Sequence, residues 1–159
     1  MNGQLTVDQV AEATKEYGPT ERVRKNRIRV SADTKKIHEA IRAVQQHLGC
    51  DRLILISCTD DTESFGLTYH LTGPHRTIVS LAIAVPRTTP EAVTVSDILP
   101  PAAIYERQIH DLFGIVFLGH PGLSKLMLNE GWPDGEYPLR KDWKPEKGKI
   151  YDGALRGGA

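Results

Sequence analysis

The sequence predicts an α+β fold: helices packed on a mainly antiparallel sheet, a β-meander, followed by an extended, irregular C-terminal tail. Three observations carry this. Strand-like runs at 52–59, 64–71 and 77–86 are joined by the short, turn-like links "DDTE" and "TGPHR", and links that short join antiparallel neighbours. Helical periodicity marks 31–49 just before them and 101–113 after them. From Leu123 onward the period disappears, although Leu, Met, Trp and Tyr remain.

The segment 5–19 reads as a helix. Thr6 with Gln9 three residues on fits a capping box, and Gly18-Pro19 ends it. "ERVRKNRIRV" (21–30) reads as extended, a tight hairpin around Lys25-Asn26. Its five basic residues suit a solvated edge strand, or a patch for an acidic partner or lipid. In 31–49, Ile37, Ile41, Val44 and Leu48 form one stripe, with Ser31 or Asp33 as the starting cap and Gly49 as the stop. His38 and His47 lie off the stripe and are expected in solvent. The runs 64–71 and 77–86 alternate, so Phe65, Leu67, Tyr69 and Leu71 share a face, as do Val79, Leu81, Ile83 and Val85. His70 and His75 flank a turn and read as its decoration. The Pro- and Thr-rich stretch 87–101 reads as a connector. The chain thus divides into an N-terminal helix (1–20), an α+β domain (21–122) and a tail (123–159).

Composition excludes several function classes. Lys+Arg and Asp+Glu stand at 20 each, so no net field draws the chain to nucleic acid. The longest apolar run, Ile78 to Val85, is far short of the roughly 20 residues a bilayer span needs, and the N-terminus lacks a signal-peptide pattern. The expectation is a soluble chain, or one held at a membrane by partners. Two cysteines, Cys50 and Cys58, cannot supply the thiolates of an iron–sulfur cluster or a usual structural zinc site. They read as reduced thiols at the ends of a buried strand. No metal or cofactor is expected on this chain.

The richest stretch is "YERQIHDLFGIVFLGHPG" (105–122). On a helix from Pro101 to Phe113, Ala102, Tyr105, Ile109 and Leu112 make the buried face. Glu106, Arg107, His110 and Asp111 fall opposite, with Glu106 facing His110 and Arg107 facing Asp111 at i+4. Gly114 can stop the helix in a left-handed conformation, and Pro121 forces His120 into extended or turn geometry. His110 could serve as a general base, but no activated nucleophile or HExxH accompanies it, so no catalytic residue is assigned. Two readings remain: a wet lattice of charge pairs, or a rigid face that docks a partner. The apolar tail, which also needs a surface on which to order, supports docking.

With "GWPDGEYPLRKDW" (131–143), this stretch resembles the signature of the 30 kDa subunit of respiratory complex I (NADH:quinone oxidoreductase). Its relatives occur in membrane-bound nickel–iron hydrogenases, formate hydrogenlyase and deazaflavin-linked (F420H2) dehydrogenases. The resemblance rests on Tyr105, Glu106, Arg107, Asp111, Gly114, His120, Pro121, Arg140, Lys141 and Asp142, with Phe113, Ile115, Phe117, Gly119, Leu123, Pro138 and Leu139 between them. It implies a cofactor-free accessory subunit of an ion-translocating oxidoreductase, without an active site of its own. Iron–sulfur clusters, and any nickel–iron centre, flavin or quinone, would belong to partners. The implied partners are the NiFe-hydrogenase-like large catalytic subunit and a small iron–sulfur subunit, with the membrane arm touched indirectly, on the cytoplasmic side of the membrane. The tail would wrap a partner. Tyr105, Glu106, Arg107, His110, Asp111, Gly114, His120, Pro121, Arg140, Lys141 and Asp142 become the expected partner-interface residues. Gln108, Ala103-Ile104 and 122–125 depart from the family pattern and lean toward the hydrogenase or deazaflavin-linked branches. The alternative is a free-standing adaptor or small enzyme.

Overall fold

A computed structural model describes residues 3–146. Helix α1 (Val7–Thr14) starts on the expected capping box, with Thr6 and Gln9 each bonding the other's backbone N–H. A hairpin follows, β1 (Thr20–Arg24) and β2 (Arg27–Ser31). Asp33 caps a short 3-10 turn that leads into α2 (Ile37–Leu48), which ends on Gly49 in the left-handed conformation. Strands β3 (Arg52–Asp60), β4 (Ser64–Thr72) and β5 (Ile78–Pro86) form the antiparallel meander.

The sheet order is β1-β2-β5-β4-β3. The basic hairpin is therefore not a detached edge: β2 pairs in parallel with β5, and only β1 lies outside it. The reason lies in Ile28 and Val30. They alternate with Arg27 and Arg29, and both are fully buried on the face that carries Leu67, Tyr69, Val79 and Leu81. Helix α2 covers that face with Ile37, Ile41, Val44 and Leu48, and α1 adds Val10.

The opposite face of the sheet is polar, and it corrects the expectation for His70. This residue sits inside β4, not at a turn, and is buried. Arg27 Nη2 donates to its Nδ1 at 2.9 Å, and the Ser80 and Ser57 hydroxyls lie 2.8 and 3.1 Å from its two ring nitrogens. Burial and then the Arg27 charge push its pKa below the usual value, which keeps the ring neutral as a cross-strand linker. His38 is likewise not free in solvent: its Nε2 lies 2.8 Å from Asp97. Cys50 and Cys58 are both free thiols. Burial pushes them up to about 11 and about 12, which makes them unreactive.

The connector 87–101 contains a strand that periodicity misses, β6 (Glu91–Val93). It pairs in parallel with β7 (Val116–Leu118), so the two flank helix α3 (Ala102–Phe113) in the chain. Three residues are too short to show a pattern. Their pairing places the connector's end, Thr94 to Ser96, against α3.

Ile41 is fully buried where α2 meets the sheet. Ile41→Ala should cost about 2–5 kcal/mol, seen as a lower urea midpoint at unchanged slope.

Candidate functional site

Helix α3 does not carry its charges as expected. Glu106 is fully buried and Asp111 is 5% exposed, whereas Tyr105 and Leu112 are only partly buried. The i, i+4 lattice is absent because each charged group has a better partner in irregular backbone. Glu106 accepts hydrogen bonds from the Thr94 hydroxyl and from Val95 N–H at 2.8 Å. Burial raises its pKa, opposed by those two bonds and by His120 nearby. The His120 ring is 2% exposed, with Nε2 3.9 Å from Glu106. It donates from Nε2 to Ala103 O at 3.0 Å and accepts from Gly122 N–H at Nδ1, 2.9 Å. The turn before exposed Pro121 is thus tied to the first turn of α3.

Asp111 holds the tail. Its Oδ2 accepts from three successive backbone N–H groups, Leu126, Met127 and Leu128, at 2.7, 2.8 and 3.2 Å. One turn earlier on the helix, Arg107 donates to Ser124 O, Ser124 Oγ and Lys125 O. His110 turns the other way and donates through Nδ1 to Ile115 O at 2.8 Å, closing the helix end. Tyr105 donates its hydroxyl to Ile54 O on β3.

Beyond this, the tail returns to the domain. Gly114, in the left-handed conformation, caps α3, and a Cβ there would stand 2.4 Å from the Tyr137 ring and 2.7 Å from Arg140 Nη2. Arg140 donates to Phe113 O at 2.7 Å, and its guanidinium lies over the Tyr137 and Phe65 rings. Arg87 lies over Phe65 as well. It grips Asp60 through both carboxylate oxygens at 2.7 and 2.8 Å and also pairs with Asp142. Lys141 enters through its backbone, whose N–H reaches Asp60 at 2.8 Å. Burial works to raise the Asp60 carboxyl. The hydrogen bonds from Arg87, Lys141 and Thr62, with the Arg87 charge, outweigh it and set the pKa at about 2. Trp132 and Trp143 stack at 5.8 Å between centroids.

All eleven expected site residues therefore lie on α3, its exit turn or the tail segment laid back on the domain. Sequence reading misses Asp60, Arg87, Thr94 and Phe65. No spacing rule links them to α3, although an Asp closing an apolar strand is a visible oddity. Between α3 and the tail lies a cavity of about 280 Å3, bordered by His110, Asp111, Trp132 and Tyr137. Among the described residues no group of three His, Cys, Asp or Glu is placed to hold a metal ion. No described helix is long and apolar enough to cross a membrane.

The model of the family described as "Respiratory-chain NADH dehydrogenase, 30 Kd subunit" matches residues 30–149. A NADH-quinone oxidoreductase polypeptide of the C/D type from Phocaeicola vulgatus is 36% identical over 118 residues, which is 72% of this chain and 22% of that polypeptide. The chain thus spans about a fifth of that relative's length. A polypeptide of the F(420)H(2) dehydrogenase of Methanosarcina mazei, its C component, is 34% identical over 124 residues, 74% of this chain and 76% of the relative. The fold is similar to the trypsin-resistant fragment (1-134) of Nqo5, with TM-score 0.62 and 28% identity over 72% of this chain and 96% of that one. It is also similar to a chain of a membrane-bound sulfane sulfur reductase, described as an archaeal respiratory membrane complex, with TM-score 0.70 and 28% identity over 87% and 83% of the two chains.

Both tryptophans lie in the tail, so their fluorescence reports its docking. Asp60 is held below the ordinary carboxylate value of about 4, so its contribution is complete above that value and lost as pH falls toward about 2. A tryptophan transition should appear in that window and be missing in Asp60→Asn, whose tail is already loose at neutral pH. Gly114→Ala should cost about 1–3 kcal/mol for the left-handed backbone and open the 123–146 segment to limited proteolysis.

Proposed function

The chain belongs to the family of the 30 kDa subunit of respiratory-chain NADH dehydrogenase, and from that premise we propose that it is a structural subunit of a membrane-associated, ion-translocating oxidoreductase. In this reading it carries no redox group. It seats a NiFe-hydrogenase-like large subunit and a small iron–sulfur subunit in the peripheral arm, on the cytoplasmic side. Electrons pass through clusters on those neighbours. What this chain contributes is a fixed surface.

One observation carries the docking reading. The tail is anchored by its backbone to Asp111 and Arg107, yet three of its apolar side chains are left exposed: Met127 is 59% exposed, Leu139 52% and Leu126 39%. Chain fixed by hydrogen bonds that leaves large apolar groups in water is a surface shaped for another protein. Arg107, Asp111, Gly114, Arg140, Lys141 and Asp142 then act indirectly, by setting the path of the tail. The departures at 103–104, 108 and 122–125 favour a deazaflavin-linked or hydrogenase-type complex.

The test is gentle detergent purification through a tag on this chain. The expected result is co-purification of a hydrogenase-like large subunit and of visible iron–sulfur absorbance that the chain expressed alone lacks. Recovery of a solitary chain that turns over a substrate would overturn it. In the same assay Arg107→Ala should reduce the recovered complex several-fold. In the isolated chain it should change tail fluorescence while the melting temperature moves by only a few degrees, since three tail bonds are lost but no core contact.

A further inference from the structure

The basic hairpin takes no part in the tail surface. Residues 20–31 set Arg22, Arg24, Lys25, Arg27 and Arg29 against Glu21 alone, five positive charges to one negative, in a chain whose net charge is zero. Charge on an edge strand guards it against pairing with another chain. That accounts for β1 but not for β2, which lies between β1 and β5. Ile28 and Val30 turn under the helices, so Arg27 and Arg29 stand on the opposite face, which no described helix covers. The hairpin register sets Arg24 directly opposite Arg27 on that face, and like charges so placed repel. Glu21 is set opposite Arg29. Even so, no ion pair joins any of the five basic residues to an acid among the described residues. Arg27 is half-buried and held by neutral groups: it donates from Nε to Ser80 Oγ at 3.2 Å and from Nη2 to His70 Nδ1 at 2.9 Å. Its position is fixed while its charge is left uncompensated, whereas charges drawn out of water are ordinarily paired. Arg24 and Arg29 are exposed, and Val23 beside them is 46% exposed.

We infer that this face of the hairpin docks an acidic segment of another subunit, whose carboxylates pair with Arg24, Arg27 and Arg29. The inference rests on the assembly reading only in requiring a partner. The unpaired charge fixes the sign of the occupant, and the arginines fix its chemistry. Four of the five basic residues are Arg, whose planar fork meets a carboxylate through two parallel N–H···O bonds. Arg27 and Arg29 lie about 7 Å apart along β2, a distance that two carboxylates of one segment span. Arg27 is already immobilised by Ser80 and His70, so little side-chain freedom is lost when the partner arrives. A carboxylate entering beside Arg24 and Arg27 also relieves their repulsion. An anionic lipid surface or a nucleic acid draws its partner through a broad field, which a chain of zero net charge lacks.

The experiment is site-specific photocrosslinking in the native host, with full-length tagged chain carrying Val23→p-benzoylphenylalanine. The expected adduct maps to a net-acidic segment of a co-purifying subunit. Adding Arg24→Glu with Arg29→Glu should cut its yield about tenfold, the effect of reversing charges at an interface. In the isolated chain, Arg24→Glu should leave the melting temperature equal or higher, because the repulsion from Arg27 is removed. A side chain whose reversal weakens assembly at no cost to the free chain is kept for its partner, and a merely structural arginine would lower the melting temperature. An adduct to a basic segment, to lipid, to nucleic acid or to residues 147–159 of the same chain overturns the inference. So does the lack of any adduct, a yield indifferent to charge reversal, or a lower melting temperature in Arg24→Glu. If partners still co-purify in those cases, only the hairpin assignment falls, and the tail-based assembly stands.

Discussion

Three buried carboxylates hold irregular backbone onto regular elements, and the rest of this structure depends on them. Glu106 takes Val95 N–H, Asp111 takes three successive N–H groups of the tail, and Asp60 takes Thr62 and Lys141 N–H together with the Arg87 guanidinium. A chain without helix or strand must still satisfy its buried donors. An ionised carboxylate does this at short range and roughly twice as strongly as a neutral acceptor. The cost is desolvation, which differs among the three. Arg87 offsets it for Asp60, whose pKa falls to about 2, whereas Glu106 has only a distant His120, and its pKa rises. Losing any one acceptor would orphan the donors it serves, which costs more than the bond itself contributes.

This also explains what is legible in the sequence. The stripe Ile37-Ile41-Val44-Leu48, the alternation in β4 and β5, the Thr6 capping box and the Gly49 and Gly114 stops all follow local rules and appear where those rules put them. The placing of Glu106 and Asp111 opposite the buried face of α3 fails for one reason. A hydropathy pattern treats every carboxylate as solvent-seeking, and it cannot see that Thr94–Val95 and 126–128 bring donors from 11 to 17 residues away. His70 is misread in the same way, because its partners come from three other strands. The parallel pairing of β2 with β5 depends on where α2 carries the chain, which no local pattern supplies.

The tail follows the same logic. It lacks periodicity, yet from Ser124 to Trp143 it is bound to its own domain at several points: Arg107, Asp111, Phe113, Leu112 and Asp60. Packing enters only where space has been kept free. Gly114 has no Cβ, and that vacancy lets Tyr137 and Arg140 stack against the end of α3. Phe65, itself fully buried, gives Arg87 and Arg140 a common aromatic face, with Phe113 edge-on at 6.0 Å. The path of the tail is thus set by backbone acceptors and one aromatic platform, and Leu126, Met127 and Leu139 remain exposed.

It follows that the residues carrying the family resemblance are legible as geometry rather than chemistry. Glu106, Arg107, Asp111, Gly114, His120, Arg140 and Asp142 each join a loop or the tail to the domain. The polar residues of α3, its exit turn and the tail, with Asp60 on β3, fix the direction in which the chain from Ser124 to Trp143 leaves the helix. That is why sequence reading can place the chain in its family while misjudging which way its charged residues face.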